Sequence, residues 1–167
     1  MNEADSLVQL IPRLRRYARA LAGDRAAADD LVQDTLERAW AKLHLYRRGT
    51  DLRAWLFTVM HNVHVNKLRA TRSTDQLDED TPEIAQRAAQ GDSLMVRDLD
   101  RSIALLPTDQ RAVLLLVTLE EMSYEEVART LGIPMGTVMS RLSRAREKLR
   151  AMMHGQAASA AKLKLVK

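Results

Sequence analysis

The sequence predicts an all-α chain: two small helical domains joined by a flexible acidic linker, the C-terminal one a helix-turn-helix. Three observations lead there. Apolar residues recur at helical spacing through most of the 167 residues. Ala, Leu, Arg and Glu dominate while aromatic residues make up only 4%, a balance that favours helices over strands. The periodicity lapses once, from Thr71 to about Gly91, in a polar stretch rich in acids. A hydrophobic content of 46% with 29% charged residues reads as globular and soluble, and the length has room for two small domains.

Leu7, Leu10, Ile11, Leu14, Ala18 and Leu21 mark the first helix, closed by Gly23-Asp24. A second is expected from about Ala26 to Leu43, with Ala28, Val32, Leu36, Ala39, Trp40 and Leu43 on its inner side and Asp29 and Asp30 in its first turn, where the helix dipole favours negative charge. After the Arg47-Arg48-Gly49 loop, Thr50 or Asp51 can cap a third helix from Leu52 to about Ala70, with Leu52, Leu56, Val59, Met60 and Val63 inward. Residues 1–70 therefore form one domain and residues 71–93 the linker, with room for a short helix near Glu83–Ala89. The second domain, residues 94–154, begins with a helix that ends before Pro107. Thr108 or Asp109 caps the next, which runs to about Leu119, and Ser123 with Glu126 forms a capping box for a third. Gly132 stops that helix, Ile133-Pro134 turns the chain, and a last helix runs to about Met153. Residues 155–167, Ala-rich and lysine-ended, read as a frayed or disordered tail.

Charge is distributed in blocks. Residues 1–70 carry 12 Lys/Arg against 8 Asp/Glu, residues 71–100 carry 3 against 8, and residues 101–167 carry 11 against 6. Two basic helical blocks around an acidic connector suit two contacts with a polyanion, although basic faces on small proteins are also commonly just solvated. The absence of cysteine excludes disulfides and fits a reducing compartment. No signal pattern and no apolar run of membrane-spanning length is present, so the chain is expected in the cytoplasm. His61 and His64 have a metal-compatible spacing but lack a third ligand, so no metal is expected. No phosphate loop, nucleophile constellation or paired acids point to an enzyme or a cofactor, and the eight methionines suit core filling.

The segment Met122–Arg150 has the spacing of a helix-turn-helix, whose second helix enters the DNA major groove. Val138, Leu142, Ala145 and Leu149 fall within about 60° of one another at 100° per residue. They face the core with Val127 and Leu131. Ser140, Ser143 and Arg144 then point away, with Thr137 and Arg141 on the flanks. Arg144 can read a guanine edge bidentately, and the others can hold bases or phosphates. Arg146, Lys148 and Arg150 extend the positive surface. Taken without further context, an amphipathic hairpin with a solvated basic face gives the same spacing. In the first domain, Asp30, Gln33, Asp34 and Glu37 form an acidic-polar stripe suited to an arginine-bearing partner helix; in isolation these residues also read as a solvated helix start. Asn62, Asn66 and Arg69 share one stripe at i, i+4 and i+7. An asparagine amide can bond a flipped base and Arg69 a backbone phosphate. Trp55 fits either core packing or base stacking, with packing the stronger reading.

The wording of these segments goes further than their periodicity. Asp29-Asp30-Leu31-Val32-Gln33-Asp34-Thr35-Leu36-Glu37-Arg38-Ala39-Trp40 and Arg53-Ala54-Trp55-Leu56-Phe57 resemble the N-terminal domain of extracytoplasmic-function sigma factors of bacterial RNA polymerase. Leu106-Pro107-Thr108-Asp109-Gln110-Arg111, Met122-Ser123-Tyr124-Glu125-Glu126-Val127-Ala128 and Gly136 through Arg146 resemble the C-terminal domain of the same family. The resemblance covers about residues 6–70 and 94–153, in family order. It implies an alternative sigma factor whose Asp30, Gln33, Asp34 and Glu37 dock on core RNA polymerase. Arg47, Arg48, Asn62, Asn66 and Arg69 are then expected to open and read the minus-ten element, and Thr137, Ser140, Arg141, Ser143 and Arg144 to read the minus-thirty-five element. It also implies an anti-sigma factor that clamps both domains, and a linker that threads toward the polymerase interior. The free chain is expected to be a monomer with no small-molecule substrate. Two departures stand out: the family often has a basic residue where Met139 stands, and commonly an aspartate at Asn66. A sigma mimic that sequesters an anti-sigma factor and a polymerase-independent helix-turn-helix regulator are the competing readings.

Overall fold

The computed structural model describes residues 2–75 and 94–165. Among these, every regular element is helical: α1 (Glu3–Ala22), α2 (Arg25–Lys42), a single 3-10 turn (Leu43–Leu45), α3 (Leu52–Asp75), α4 (Leu94–Leu105), α5 (Thr108–Thr118), α6 (Tyr124–Leu131) and α7 (Met135–Leu165). The chain forms two compact units, one built on α1–α3 and the other on most of α4–α7.

In the first unit each helix limit has a local cause. The Asn2 side chain accepts from the Ala4 amide at 3.0 Å, and Gly23 closes α1 at φ 73°, a left-handed conformation that glycine adopts at little cost. Asp24 then caps α2 through the amides of Ala26 and Ala27. Of the two caps expected for α3, Asp51 takes the role, accepting from the Ala54 amide at 3.2 Å. The three helices pack on one another. They bury Leu7, Leu14, Ala18 and Leu21 of α1, Ala28, Leu31, Val32 and Ala39 of α2, and Leu56, Val59, Met60 and Val63 of α3. Tyr17 and Phe57 meet edge-on, with centroids 5.1 Å apart. Thr35 is wholly buried, and its hydroxyl is satisfied by the Leu31 carbonyl at 2.7 Å.

Two expectations are corrected here. Trp40 does not join the core: it is 65% exposed. The buried line of α2 runs through Leu31 and Thr35 to Ala39, which turns Trp40 outward and leaves Leu36 only half-buried. In addition, α3 continues past Ala70 to Asp75, into the stretch whose polar composition predicts the end of the helix. The hydroxyls of Thr71, Ser73 and Thr74 each bond the carbonyl four residues back, which lets polar residues stay within the helix. The short helix expected near Glu83–Ala89 lies outside the described residues.

In the second unit α5 and α4 both pack on α7. Ala112 through Leu116 are all buried, so α5 is the central helix of this core. Arg111 fastens the α4–α5 corner: its guanidinium donates to the carbonyls of Ile103 (3.0 Å), Ala104 (2.7 Å) and Leu106 (2.7 Å). Ile103 and Ala104 belong to the last turn of α4, whose carbonyls a helix C-terminus leaves without an intrahelical donor, and Leu106 follows directly. Pro107, not Thr108 or Asp109, occupies the N-cap position of α5, and the Asp109 carboxylate instead accepts from the Gln110 amide. Helix α7 runs on to Leu165 where a frayed tail was expected, and alanines at 157, 158, 160 and 161 give that stretch high helix propensity.

Candidate nucleic-acid and protein interfaces

The helix-turn-helix is built as its sequence implies. Ser123 and Glu126 form a reciprocal capping box, with the Ser123 amide 2.7 Å from the Glu126 carboxylate and the Glu126 amide 3.2 Å from the Ser123 hydroxyl. Gly132 ends α6 at φ 64°, and the Ile133 amide bonds the Ala128 carbonyl at 3.1 Å. Pro134 supplies the carbonyl that starts α7, accepting from Thr137 and Val138. Val138, Leu142 and Ala145 are buried, Leu149 is half-buried, and Val127 and Leu131 of α6 are buried as well. Ser140, Ser143 and Arg144 consequently stand exposed on the far side of α7.

The flanking residues are less available. Thr137 is half-buried, and its carbonyl accepts from the Ser140 hydroxyl at 3.2 Å. Arg141 is turned toward α5, where Asp109 holds its guanidinium at 3.5 Å. Met135 and Met139 are both about half exposed beside this face. Met139 and Ser143 also line an open groove of about 430 Å³ with Tyr124, Arg146 and Arg150. The exposed face is thus polar and basic with an apolar edge, a composition that fits both base edges and phosphates.

In the first unit the acidic stripe is present but engaged. The Lys67 ammonium, on α3, hydrogen-bonds and ion-pairs with both Asp30 and Asp34 of α2. Those contacts hold the lysine above its ordinary pKa, with Asp30 the larger cause and Asp34 next. Gln33 donates to Glu37 at 3.2 Å one turn along the same helix. Sequence reasoning missed Lys67 as a member of this cluster, because the partner lies 37 residues away. It also missed the exposed Trp40, which continues the Gln33–Glu37 line at i+7; Trp40 follows Val32 and Leu36 in i+4 steps and so fits the core side equally well, and periodicity held no signal for it.

Arg47 and Arg48 lie in the loop before α3. That loop is pinned by the Tyr46 hydroxyl on the Thr50 carbonyl, by the Thr50 hydroxyl on the Arg47 carbonyl at 2.7 Å, and by Gly49 at φ 88°. Tyr46 in turn packs on Trp55 with centroids 5.4 Å apart, so Trp55 is half-buried as a support for the loop. Arg48 pairs with Glu3 of α1 at 2.7 Å, and the two line a hollow of about 320 Å³ with Ser6, Gln9, Tyr46 and Leu52. Asn62, Asn66 and Arg69 are all exposed along α3. They do not adjoin the loop: ten residues of helix separate Leu52 from Asn62, about 15 Å. Among the described residues no group of three His, Cys, Asp or Glu could hold a metal ion. None of the described helices is long and apolar enough to cross a membrane.

Comparison with known proteins places the chain in a family. Residues 7–61 match the family described as the Sigma2 domain of PhyR, and residues 97–149 match Sigma-70, region 4. The ECF RNA polymerase sigma factor EcfG of Rhodopseudomonas palustris is 36% identical over 153 residues, covering 90% of this chain and 84% of that protein. The chain belongs to the ECF RNA polymerase sigma factors. A second member, SigL of Mycobacterium tuberculosis, is 38% identical over 147 residues, covering 82% of this chain and 80% of its own. Among solved structures, the sigma factor RpoE from Bartonella quintana, in complex with the anti-sigma factor NepR, matches this ECF chain with a TM-score of 0.80 at 35% identity, over 90% of this chain and 96% of that one. CnrH, in complex with the cytosolic domain of CnrY, matches with a TM-score of 0.67 at 29% identity, over 91% and 87%. Both region matches fall on the two helical units, in the order the sequence resemblance implied.

Proposed function

We propose that this ECF chain binds core RNA polymerase and carries it to selected promoters, reading the minus-ten element with residues 1–70 and the minus-thirty-five element with residues 94–154. The observation that carries this reading is the exposed Ser140–Ser143–Arg144 face, set opposite the buried Val138–Leu142–Ala145 line of α7. In that orientation Arg144 reads a base edge, Ser140 and Ser143 approach bases or phosphates, and Thr137 and Arg141 contribute from the flanks. Asp109 must yield Arg141 before that arginine reaches DNA. Asp30, Gln33, Asp34 and Glu37 meet basic groups on polymerase, and exposed Trp40 extends that surface with a large aromatic of the kind that anchors interfaces. Arg47, Arg48, Asn62, Asn66 and Arg69 serve the melted minus-ten strand.

The chain acts without chemistry of its own, in the cytoplasm, as a monomer when free, and under an anti-sigma factor. The support for that regulator is the complex of the related sigma factor with NepR. A second reading, a sigma mimic that sequesters an anti-sigma factor, is favoured by the match of residues 7–61 to the PhyR domain. A run-off assay with core polymerase and this chain as the sole specificity factor separates them. Promoter-dependent transcripts are expected, and their absence alongside tight anti-sigma binding would establish the mimic.

A further inference from the structure

Lys67 continues the inward line of α3 formed by Met60 and Val63, at i, i+3 and i+7, just beyond the last buried turn. Its ammonium there closes on Asp30 and Asp34, while the neighbouring Asn66 points about 100° away around the helix. One long side chain thus ties the acidic stripe of α2 to α3, one helix face round from the exposed polar stripe. The lysine and both aspartates remain part-exposed, so the cluster is accessible to a competitor.

We propose that Lys67 is a latch between the polymerase-docking face and the DNA-reading face of the first domain. In the free chain it screens Asp30 and Asp34 and is itself neutralised. An incoming guanidinium displaces it, since a planar fork pairs a carboxylate bidentately where an ammonium offers one hydrated point charge. The arriving cation also repels the lysine. Released on its four-carbon stem, Lys67 is free to swing from α2 toward solvent within one turn of Asn66 and Arg69, which stand about 100° and 160° around α3 from it, and adds one positive charge for promoter phosphate. Polymerase docking thereby raises the DNA affinity of α3. Lys67 acts here as a positioning residue, and the inference rests on the proposed docking role of Asp30 and Asp34.

The test uses the full chain and its Lys67→Met and Lys67→Arg variants, each checked for folding by urea denaturation. Core-polymerase affinity is measured first. The salt dependence of holoenzyme binding to a promoter fragment selected with wild type is measured second. Lys67→Met is expected to bind core roughly two- to fivefold more tightly, the scale of a removed exposed ion pair. Its holoenzyme is expected to lose about 0.7–0.9 from the slope of log affinity against log salt, one phosphate contact. Lys67→Arg, which grips the aspartates harder and keeps the charge, is expected to bind core more weakly with the wild-type slope. Weaker core binding by Lys67→Met, an unchanged slope, or identical behaviour of the two variants overturns the latch. If wild type itself fails to bind core, the docking role of α2 falls and the latch with it; if wild type binds and Lys67→Met is unchanged, the latch alone falls.

Discussion

The proposed recognition surfaces of the two domains are held in opposite ways. On α7 the central residues expected to read DNA stand clear of the core: Ser140, Ser143 and Arg144 are exposed, while at the flanks Thr137 is half-buried and Arg141 is drawn aside by Asp109. On α2 the residues expected to meet polymerase are already neutralised from within, Asp30 and Asp34 by Lys67, while Gln33 and Glu37 bond each other. A presented surface needs only a rigid helix behind it, which the Val138–Leu142–Ala145 line supplies. An engaged surface must first give up its internal partners. The difference predicts that substitutions on α7 alter sequence preference with little change in the protein itself, whereas substitutions on α2 change both docking and the local ion pairs.

The largest effect is expected from Asp34→Arg. It reverses a charge at a proposed close interfacial pair, a change worth several kcal/mol, and also sets an arginine against Lys67. Core-polymerase binding should fall below detection in a pull-down while helicity by circular dichroism is retained. Undiminished binding removes α2 from the interface and with it one side of the contrast.

Next is the scaffold behind the presented face. Arg111→Met takes a charged donor from three carbonyls at the end of α4. A loss of about 1.5–3 kcal/mol in unfolding free energy is expected, since hydrogen bonds to charged groups fall in that range. Urea denaturation of the full chain reads it, and a change below experimental error means the corner is held by packing alone.

Arg144→Ala sharpens the comparison on the DNA side. A lost bidentate arginine–guanine contact costs about 1–3 kcal/mol and relaxes preference at a single base pair. Lys148→Ala, further along α7, should weaken every sequence alike and lower the salt slope slightly. Footprinting of both variants on base-substituted upstream elements distinguishes them, and an intact preference in Arg144→Ala reorients the recognition helix.

The smallest effect concerns pH. Because Lys67 titrates above its unfolded value, its pairing contributes fully below about pH 10.5 and is lost as pH rises through the folded-state pKa. For an exposed cluster that contribution is roughly 0–1 kcal/mol. Wild type and Lys67→Met should therefore differ in stability at pH 8 and converge at strongly alkaline pH. A gap that widens with pH contradicts the sign.

Much of this protein was legible in its sequence because the decisive signals are local. Gly23 and Gly132 end helices where a positive φ is needed, Ser123 and Glu126 lie three apart and cap each other, and the 100° period orders the face of α7. Each of these depends on neighbours within one or two turns. The wording of α2, α3 and α7 likewise identified the family before any coordinate did. Only the tertiary structure decided the rest. It turned Trp40 outward, because the way α2 packs on α1 and α3 centres its buried line on Leu31 and Thr35. It brought Arg48 to Glu3, and Lys67 to Asp30 and Asp34. Those partners lie tens of residues apart, and one-dimensional periodicity says which face a residue occupies but not which side chain from another helix will meet it there.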